Sequence, residues 1–243
     1  MVKQKILDSL QVPAQSSGIK IGSNQNTLVF SKGEKTFTML CPENSFVEYC
    51  VTHAPIKLIS IVKSKLGLNQ RVFARNCICK KISKESSNDF VNEYHLMGAT
   101  GSAFNYGLFY KEQLLAVASF SKGRKMNRIA TGKLSYELVR FCCKDGISIS
   151  GGLMKLVLNF CREKQAGDVM TYVDKQLSDG EAFKRAGFIF HSEKPPVSLC
   201  VGKETFSFRA VSERAVHCAL DEDLVTNAGS MKFVYTPGQN EKL

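Results

Sequence analysis

The sequence predicts a mixed α/β fold, a mainly antiparallel central sheet flanked by helices, and three observations predict it. Leu134 to Phe190 reads as strand, glycine turn, helix, strand, helix, strand, with polar groups at the turns. The helical stretch within it carries Leu153, Leu156, Val157, Phe160 and Cys161 on one face, the spacing of a helix that packs on a sheet. Tyr106 to Tyr110 and Leu114 to Phe120 flank the short link Lys111-Glu112-Gln113, the pattern of a tight antiparallel hairpin.

Taken in order, Ile19 to Ile21 and Thr27 to Phe30 flank the turn-rich Gly22 to Asn26 and predict a hairpin, to which Lys35 to Leu40 adds a strand. Ile56 to Leu66 has helical spacing and stops at Gly67, a C-cap residue. Arg71 to Ile82 alternates as one strand with mixed faces. Ser86 to Asp89 offers N-caps for a helix carrying Phe90, Val91 and Tyr94, with Glu93 and His95 in its last turn and Gly98 beyond it. After the hairpin come a strand over 134–142, a helix over 149–164, a strand over 168–174, a helix over 179–186 and a strand over 187–191. Two short apolar segments, Phe206 to Val211 and Met231 to Tyr235, follow Pro195-Pro196. This organisation predicts a small α+β extension at 1–66, a main domain at 67–194, and C-terminal strands and tail at 195–243 packed on that domain.

With 243 residues, 44% hydrophobic and 23% charged, the chain has a globular composition. No apolar run approaches a membrane span, and the first residues lack the pattern of a secretory signal, so the expected location is the cytoplasm, with no membrane partner. Nine scattered cysteines, mostly within apolar strand or helix patterns, read as buried thiols, and without C-x-x-C pairs they predict no zinc site. The net charge of +11 is concentrated in residues 71–135 and peaks at Ser121 to Arg128, a glycine-containing segment between two strand-like runs. As a hairpin loop it would offer Lys122, Arg124, Lys125 and Arg128 to phosphates of nucleic acid or of a nucleotide cofactor, although a solvated hairpin tip has the same composition.

The segment Ala182-Phe183-Lys184-Arg185-Ala186-Gly187-Phe188 resembles the A-x-x-x-Y-x-x-x-G-F ending of the GNAT acyltransferase superfamily. Arg71 to Cys77, Phe90 to Gly98, Glu137 to Cys142, Tyr172-Val173-Asp174 and the late Asn227 to Val234 are similar to a phage-encoded GNAT-like branch. That branch includes the Mom DNA-modification protein and domains attached to phage homing-endonuclease-like proteins. The resemblance implies a fold in which acyl-coenzyme A lies in a cleft between splayed central strands. It carries functional positions onto His95, Arg140, Asp174 and Ser178. A histidine and a carboxylate can exchange protons near neutral pH, and a guanidinium offers a planar fork to phosphate or carboxylate. His95 with Asp174 is also a pair that suits iron, although two ligands are too few to make a site. Each has a structural rival: His95 capping carbonyls, Arg140 pairing with Glu137 or Asp174, and Asp174 capping the next helix.

Two departures from the superfamily pattern stand out. In place of the Q/R-x-x-G-x-G/A loop the chain has Ser148-Ile149-Ser150-Gly151-Gly152-Leu153, so Ser148, Ser150, Gly151, Gly152 and Lys155 are the candidates for cofactor phosphate contact. Phe183 stands where a tyrosine would protonate the leaving thiolate, so Tyr172, Tyr136 or Tyr94 substitutes, or the acyl chemistry is altered. The resemblance implies an acyltransferase that modifies a DNA base, with acetyl-CoA or another acyl-CoA as small-molecule donor, DNA as partner, and the host bacterial cytoplasm as its place. Two other readings stand beside it: a non-catalytic DNA-binding module, motivated by Phe183 and the altered loop, and an acetyl-CoA-dependent N-acetyltransferase of a small amine or protein.

Overall fold

A computed structural model of the chain describes residues 2–129, 132–202, 208–211 and 222–238, with the backbone alone at 2–6, 209 and 210. In chain order the elements are α1 (Val2–Gln15), β1 (Lys20–Asn24), β2 (Thr27–Lys32), β3 (Lys35–Leu40), α2 (Phe46–His53) and α3 (Pro55–Lys65). Next come β4 (Gln70–Phe73), β5 (Ile78–Lys81), α4 (Lys84–Tyr94), β6 (Phe104–Tyr110), β7 (Gln113–Phe120), β8 (Ser135–Cys143) and β9 (Ile147–Ser150). The rest are α5 (Gly152–Lys164), β10 (Asp168–Asp174), α6 (Glu181–Arg185), β11 (Ile189–Lys194), β12 (Ser198–Gly202), β13 (Phe208–Ala210), β14 (Glu222–Thr226) and β15 (Ser230–Tyr235).

The elements group into two compact units. The first comprises Met1–Asn69, Asp174–Ser178 and Pro195–Gly229. It holds the antiparallel sheet β1-β2-β3, the sheet β13-β12-β14 and helices α1 to α3, around buried Leu10, Phe30, Met39, Leu58 and Val62. Helix α2 starts where Ser45 accepts a hydrogen bond from the Glu48 N–H, an N-cap that the strand-dominated sequence pattern hides.

The second unit comprises Gln70–Val173, Asp179–Lys194 and Ser230–Leu243. Its seven-stranded sheet has the order β11-β15-β10-β8-β7-β6-β5. The pairs β5–β6, β6–β7, β7–β8 and β11–β15 are antiparallel, and β8–β10 is parallel. The fold class expected from the sequence is the one observed. Strand alternation assigns the two faces. Ala116, Ala118 and Phe120 of β7 pack in the cluster with Leu156, Val157 and Phe160 of α5, while Val117 packs against Phe90 and Val91 of α4. The α5 side centres on Phe120 and Phe160, stacked at 3.9 Å with an interplanar angle of 2°.

Several local expectations change. Arg71 to Ile82 is not one strand: a 3-10 turn at Ala74–Asn76 divides it, so β4 pairs in parallel with β9 while β5 joins the large sheet. The Lys155 ammonium of α5 donates to the carbonyls of Ala74 and Cys77 and pins that turn. Residues 149 and 150 belong to β9, and α5 starts at Gly152. The 6–7 hairpin link has two residues, Lys111 and Glu112, with φ of 48° and 65°, as a type I′ turn requires. The reading of all cysteines as buried thiols fails at Cys200, which is disulfide-bonded. Of the free ones, Cys50, Cys77 and Cys161 are buried and Cys41, Cys79, Cys142 and Cys143 only partly so. Within the predicted apolar segment 206–211, positions 206 and 207 lie outside the described residues.

Candidate functional site

The parallel pair at the middle of the large sheet comes apart. Its register runs Asp168↔Ser135, Val169↔Tyr136, Met170↔Glu137 and then ends. One residue on, the Thr171 hydroxyl donates to the Leu138 carbonyl at 3.0 Å, a side chain where the ladder would have placed a backbone N–H. On its other edge β8 carries a bulge: Phe120 faces Leu138 and Ser119 faces Arg140, which leaves Val139 as the extra residue. The end of the parallel ladder and the bulge together interrupt regular pairing beside Leu138 to Arg140, a notch in the hydrogen-bond pattern of the sheet.

Glu137 stands at this notch. Tyr136 and Leu138 point into the α5-side core, so alternation turns Glu137 to the opposite face. Its carboxylate is half-buried and makes no hydrogen bond or ion pair with a described residue. Burial raises its pKa above the ordinary value, against the pull of Arg124, Arg140 and Lys232. Tyr172 of β10 is 41% exposed, and its phenol is held above its usual pKa by desolvation and by the Glu137 charge, with Arg124 and Arg128 acting the other way. A proton acceptor and a protonated phenol therefore sit in one electrostatic neighbourhood. In the sequence Glu137 is legible as the first residue of the Glu137 to Cys142 motif and as a partner for Arg140, not as a base. Its signal is a carboxylate within an apolar strand, between Tyr136 and Leu138.

Two of the expected residues converge. His95 caps α4: its N–H donates to the Val91 carbonyl, its Nδ1 accepts the Met97 N–H at 3.1 Å, and its carbonyl accepts the Gly98 N–H. With Nδ1 accepting, the neutral ring carries its proton on Nε2. Arg140 donates from Nε to the Gly98 carbonyl at 2.8 Å and from Nη1 to the Val139 carbonyl at 2.9 Å. Burial lowers its pKa, and Glu137 opposes that shift. His95 and Arg140 thus hold one turn, 95–98, against β8.

Asp174 and Ser178 lie in the first unit. Asp174 Oδ1 accepts the Gln176 N–H at 2.8 Å, and Oδ2 accepts the Asn227 amide at 3.1 Å. Burial raises its pKa, partly offset by those two hydrogen bonds. Its carbonyl accepts the N–H groups of Leu177 and Ser178, and the Ser178 hydroxyl accepts from Lys65 at 3.1 Å. Among the described residues no group of three or more His, Cys, Asp or Glu could hold a metal, so iron finds no ligand set.

Ser148 and Ser150 sit on β9, facing Arg71 and Phe73 of β4 in register. Gly151 is the N-cap of α5 with φ of 77°, and no side chain caps the helix. A Cβ on Gly152 would lie 2.9 Å from Ile149 Cβ and Cγ2. The first-turn N–H groups of α5 lack intrahelical acceptors by construction, and the helix dipole favours an anion there. Lys155 is not free to assist, since its ammonium holds the Ala74–Asn76 turn. A cleft of about 320 Å³ follows α5 from Gly151 to Arg162, lined also by Cys79, Met154, Leu158 and Asn159.

In the basic loop Lys122, Arg124 and Lys125 are exposed. Arg124 is tied by its backbone to Ser135 through hydrogen bonds of 2.8 and 2.9 Å. Arg128 is committed: its guanidinium bonds Asp168 Oδ2 at 2.8 Å and Ser135 Oγ at 3.0 Å, and Asp168 is 1% exposed. Phe183 packs with Phe188 and Phe233 and is partly buried against the core. Of the three substitute tyrosines, Tyr136 is buried edge-on to Phe160. Tyr94, pushed up to about 12 by burial and a hydrogen bond to Glu93, belongs to α4. Tyr172 is the one whose phenol responds to Glu137.

No protein-family model matches the chain, and no curated protein matches it. Solved structures similar to it include a Bacillus subtilis acetyltransferase in complex with CoA, 14% identical over 66% of this chain and 98% of that one, TM-score 0.38. The Escherichia coli ribosomal-protein-S18-alanine N-acetyltransferase is 10% identical over 69% and 99%, TM-score 0.41. Arabidopsis thaliana Naa50 with a bisubstrate analogue is 9% identical over 65% and 97%, TM-score 0.41.

Proposed function

We propose that the chain is a GNAT-type acyltransferase that moves an acyl group from acyl-CoA to an amine, with Glu137 as the base. The observation that carries this reading is the parting of β8 and β10 immediately after the Met170↔Glu137 pair, with an unpaired, half-buried carboxylate at the point of divergence. Acyl-CoA fits the uncapped α5 N-terminus: a glycine pair that no side chain can replace without strain, ahead of N–H groups that need an acceptor. Bound there, it would supply the acyl thioester. Glu137 accepts the proton lost by the amine as its nitrogen bonds to the acyl carbon and the carbon–sulfur bond of the thioester breaks, the departing thiolate taking a proton from Tyr172; the raised pKa of Glu137 brings a carboxylate nearer the range useful for a base. Tyr172, protonated at neutral pH, is the donor beside it, in place of Phe183, which packs against the core. Arg140 and His95 fix the turn that borders the notch, and Asp174 and Ser178 order the strand end beyond β10.

The acceptor class follows from charge. Arg124 acts electrostatically on both Glu137 and Tyr172, and Lys122 and Lys125 extend its basic loop into solvent. An amine on nucleic acid, a base amine first, matches that rim better than a cationic small amine or a basic peptide. The main domain at 67–194 is then the catalytic part, and the segment 1–66 an accessory.

The test is mass spectrometry of nucleosides from DNA of bacteria expressing the chain, beside Glu137→Gln and Asp174→Ala. A new nucleoside absent with Glu137→Gln is the expected result. Ordinary nucleosides together with acylation of a peptide or small amine by the purified protein would transfer the reading to an N-acetyltransferase of those substrates. A salt-sensitive DNA complex indifferent to acetyl-CoA would leave a binding module.

A further inference from the structure

Lys232 of β15 is the least expected side chain in the large sheet. It is 8% exposed, and its ammonium makes no hydrogen bond or salt bridge with a described residue. Its sequence neighbours Met231 and Phe233 pack in the α5-side cluster, so Lys232 projects from the opposite face, the one that carries Glu137. In register it faces Ser192 of β11, and Lys194, two residues along β11, is exposed. Four charged groups act on it: Arg128 and Lys194, both cationic, and the carboxylates Asp168 and Glu137. Asp168 is already engaged by Arg128. The stem of Lys232 is buried while its ammonium is not among the fully buried polar atoms, and desolvation together with the two neighbouring cations disfavours its charge. The arrangement becomes favourable when an anion occupies the space between them.

We propose that Lys232, Arg128 and Lys194 form a phosphate site on the face of the sheet that carries Glu137, and that it holds a backbone phosphate of the acceptor nucleic acid. This rests on the acyltransfer reading for the identity of the acceptor. The phosphate is not that of the acyl donor, because the donor's candidate seat is the N-terminus of α5, the helix that covers the other face of the sheet. A phosphate at Lys232 sets the attached nucleotide beside Glu137, on the same face. Arg128 contributes while still bonded to Asp168, since a guanidinium has five N–H donors and the two carboxylate and hydroxyl contacts leave some unused.

The experiment uses the purified full chain with a fluorescent single-stranded oligodeoxynucleotide over a salt series, and acetyl-CoA thermal shift in parallel. Lys232→Met, which keeps the apolar stem, should weaken oligonucleotide binding about tenfold or more. It should flatten the slope of log K against log salt by about 0.7. The acetyl-CoA shift should remain, Lys232→Arg should restore part of the affinity, and the melting temperature of Lys232→Met should rise. Unchanged oligonucleotide affinity and slope, or a loss that falls on acetyl-CoA instead, would overturn the site. If Lys232→Met fails to fold, Lys232 is a structural partner of Asp168; Lys194→Ala, an exposed change in the same site, then decides, and its indifference to the oligonucleotide ends the proposal. An acetyl-CoA shift in a wild type that binds no oligonucleotide sinks the site and spares acyl transfer. Lys232-dependent oligonucleotide binding without any acetyl-CoA shift does the reverse.

Discussion

Glu137 and Arg128 show how differently two charged residues on neighbouring elements are used. The Arg128 guanidinium neutralises Asp168 where β10 begins, and one oxygen of that carboxylate, Oδ1, has no hydrogen bond among the described residues. Arg128→Met would strand a buried charge, and urea denaturation should register a loss of about 3–5 kcal/mol. Glu137 has no such partner among the described residues, and in the proposed reaction it is the base. Glu137→Gln should cut kcat about 100- to 10,000-fold with the acetyl-CoA thermal shift intact. Because burial raises the Glu137 pKa, the carboxylate forms at higher pH than an exposed glutamate, and the wild-type rate should climb with pH through that raised value before levelling. A pH–rate profile with no acid limb would remove Glu137 from the base role.

Among the elements, the β8–β10 divergence and the β9–α5 corner position everything else. Thr171 replaces one ladder bond at the point of parting, so Thr171→Val leaves the buried Leu138 carbonyl without its donor and should cost about 1–3 kcal/mol in chemical denaturation. The corner is tighter still. Alanine at Gly152 would drive its Cβ into Ile149 at 2.9 Å, and overpacking of that kind costs about 1–3 kcal/mol. Gly152→Ala should also shrink the acetyl-CoA thermal shift, because displacing Ile149 moves the first turn of α5; a full shift in a destabilised protein would separate the corner from donor binding.

Across the whole chain, the net charge of +11 sets association with polyanions, while single carboxylates set the response to acid. Glu163 is the clearest case. Burial alone would raise its pKa, but hydrogen bonds from Lys81, Tyr106 and Lys164 outweigh it and hold the group at about 2, against 4.5 unfolded. A depressed carboxylate contributes stability above its unfolded pKa and loses it as pH falls through the folded one. The midpoint of urea unfolding should therefore drop between pH 4.5 and about 2, and Glu163→Gln should flatten that drop. The group is exposed at the surface of α5, so solvent screens the effect and its size stays modest.

The sequence by itself determined the fold class, most strands of the large sheet, the α5 face and the glycine pair before it, because period-2 and period-3.6 patterning and positive-φ glycines are written in consecutive residues. Arg71 to Ile82 has the pattern of one strand, and its division is invisible there because it depends on β9 and on Lys155, 81 residues from the Ala74 carbonyl it holds. The candidate site was legible only in part for the same reason. His95 and Arg140 were singled out, but what they share, the 95–98 turn, is a tertiary contact. Whether Glu137 lacks a partner and Arg128 has one, and which cations lie near Lys232, is decided by strand register and by which side chains the fold brings together, and long-range packing alone fixes that.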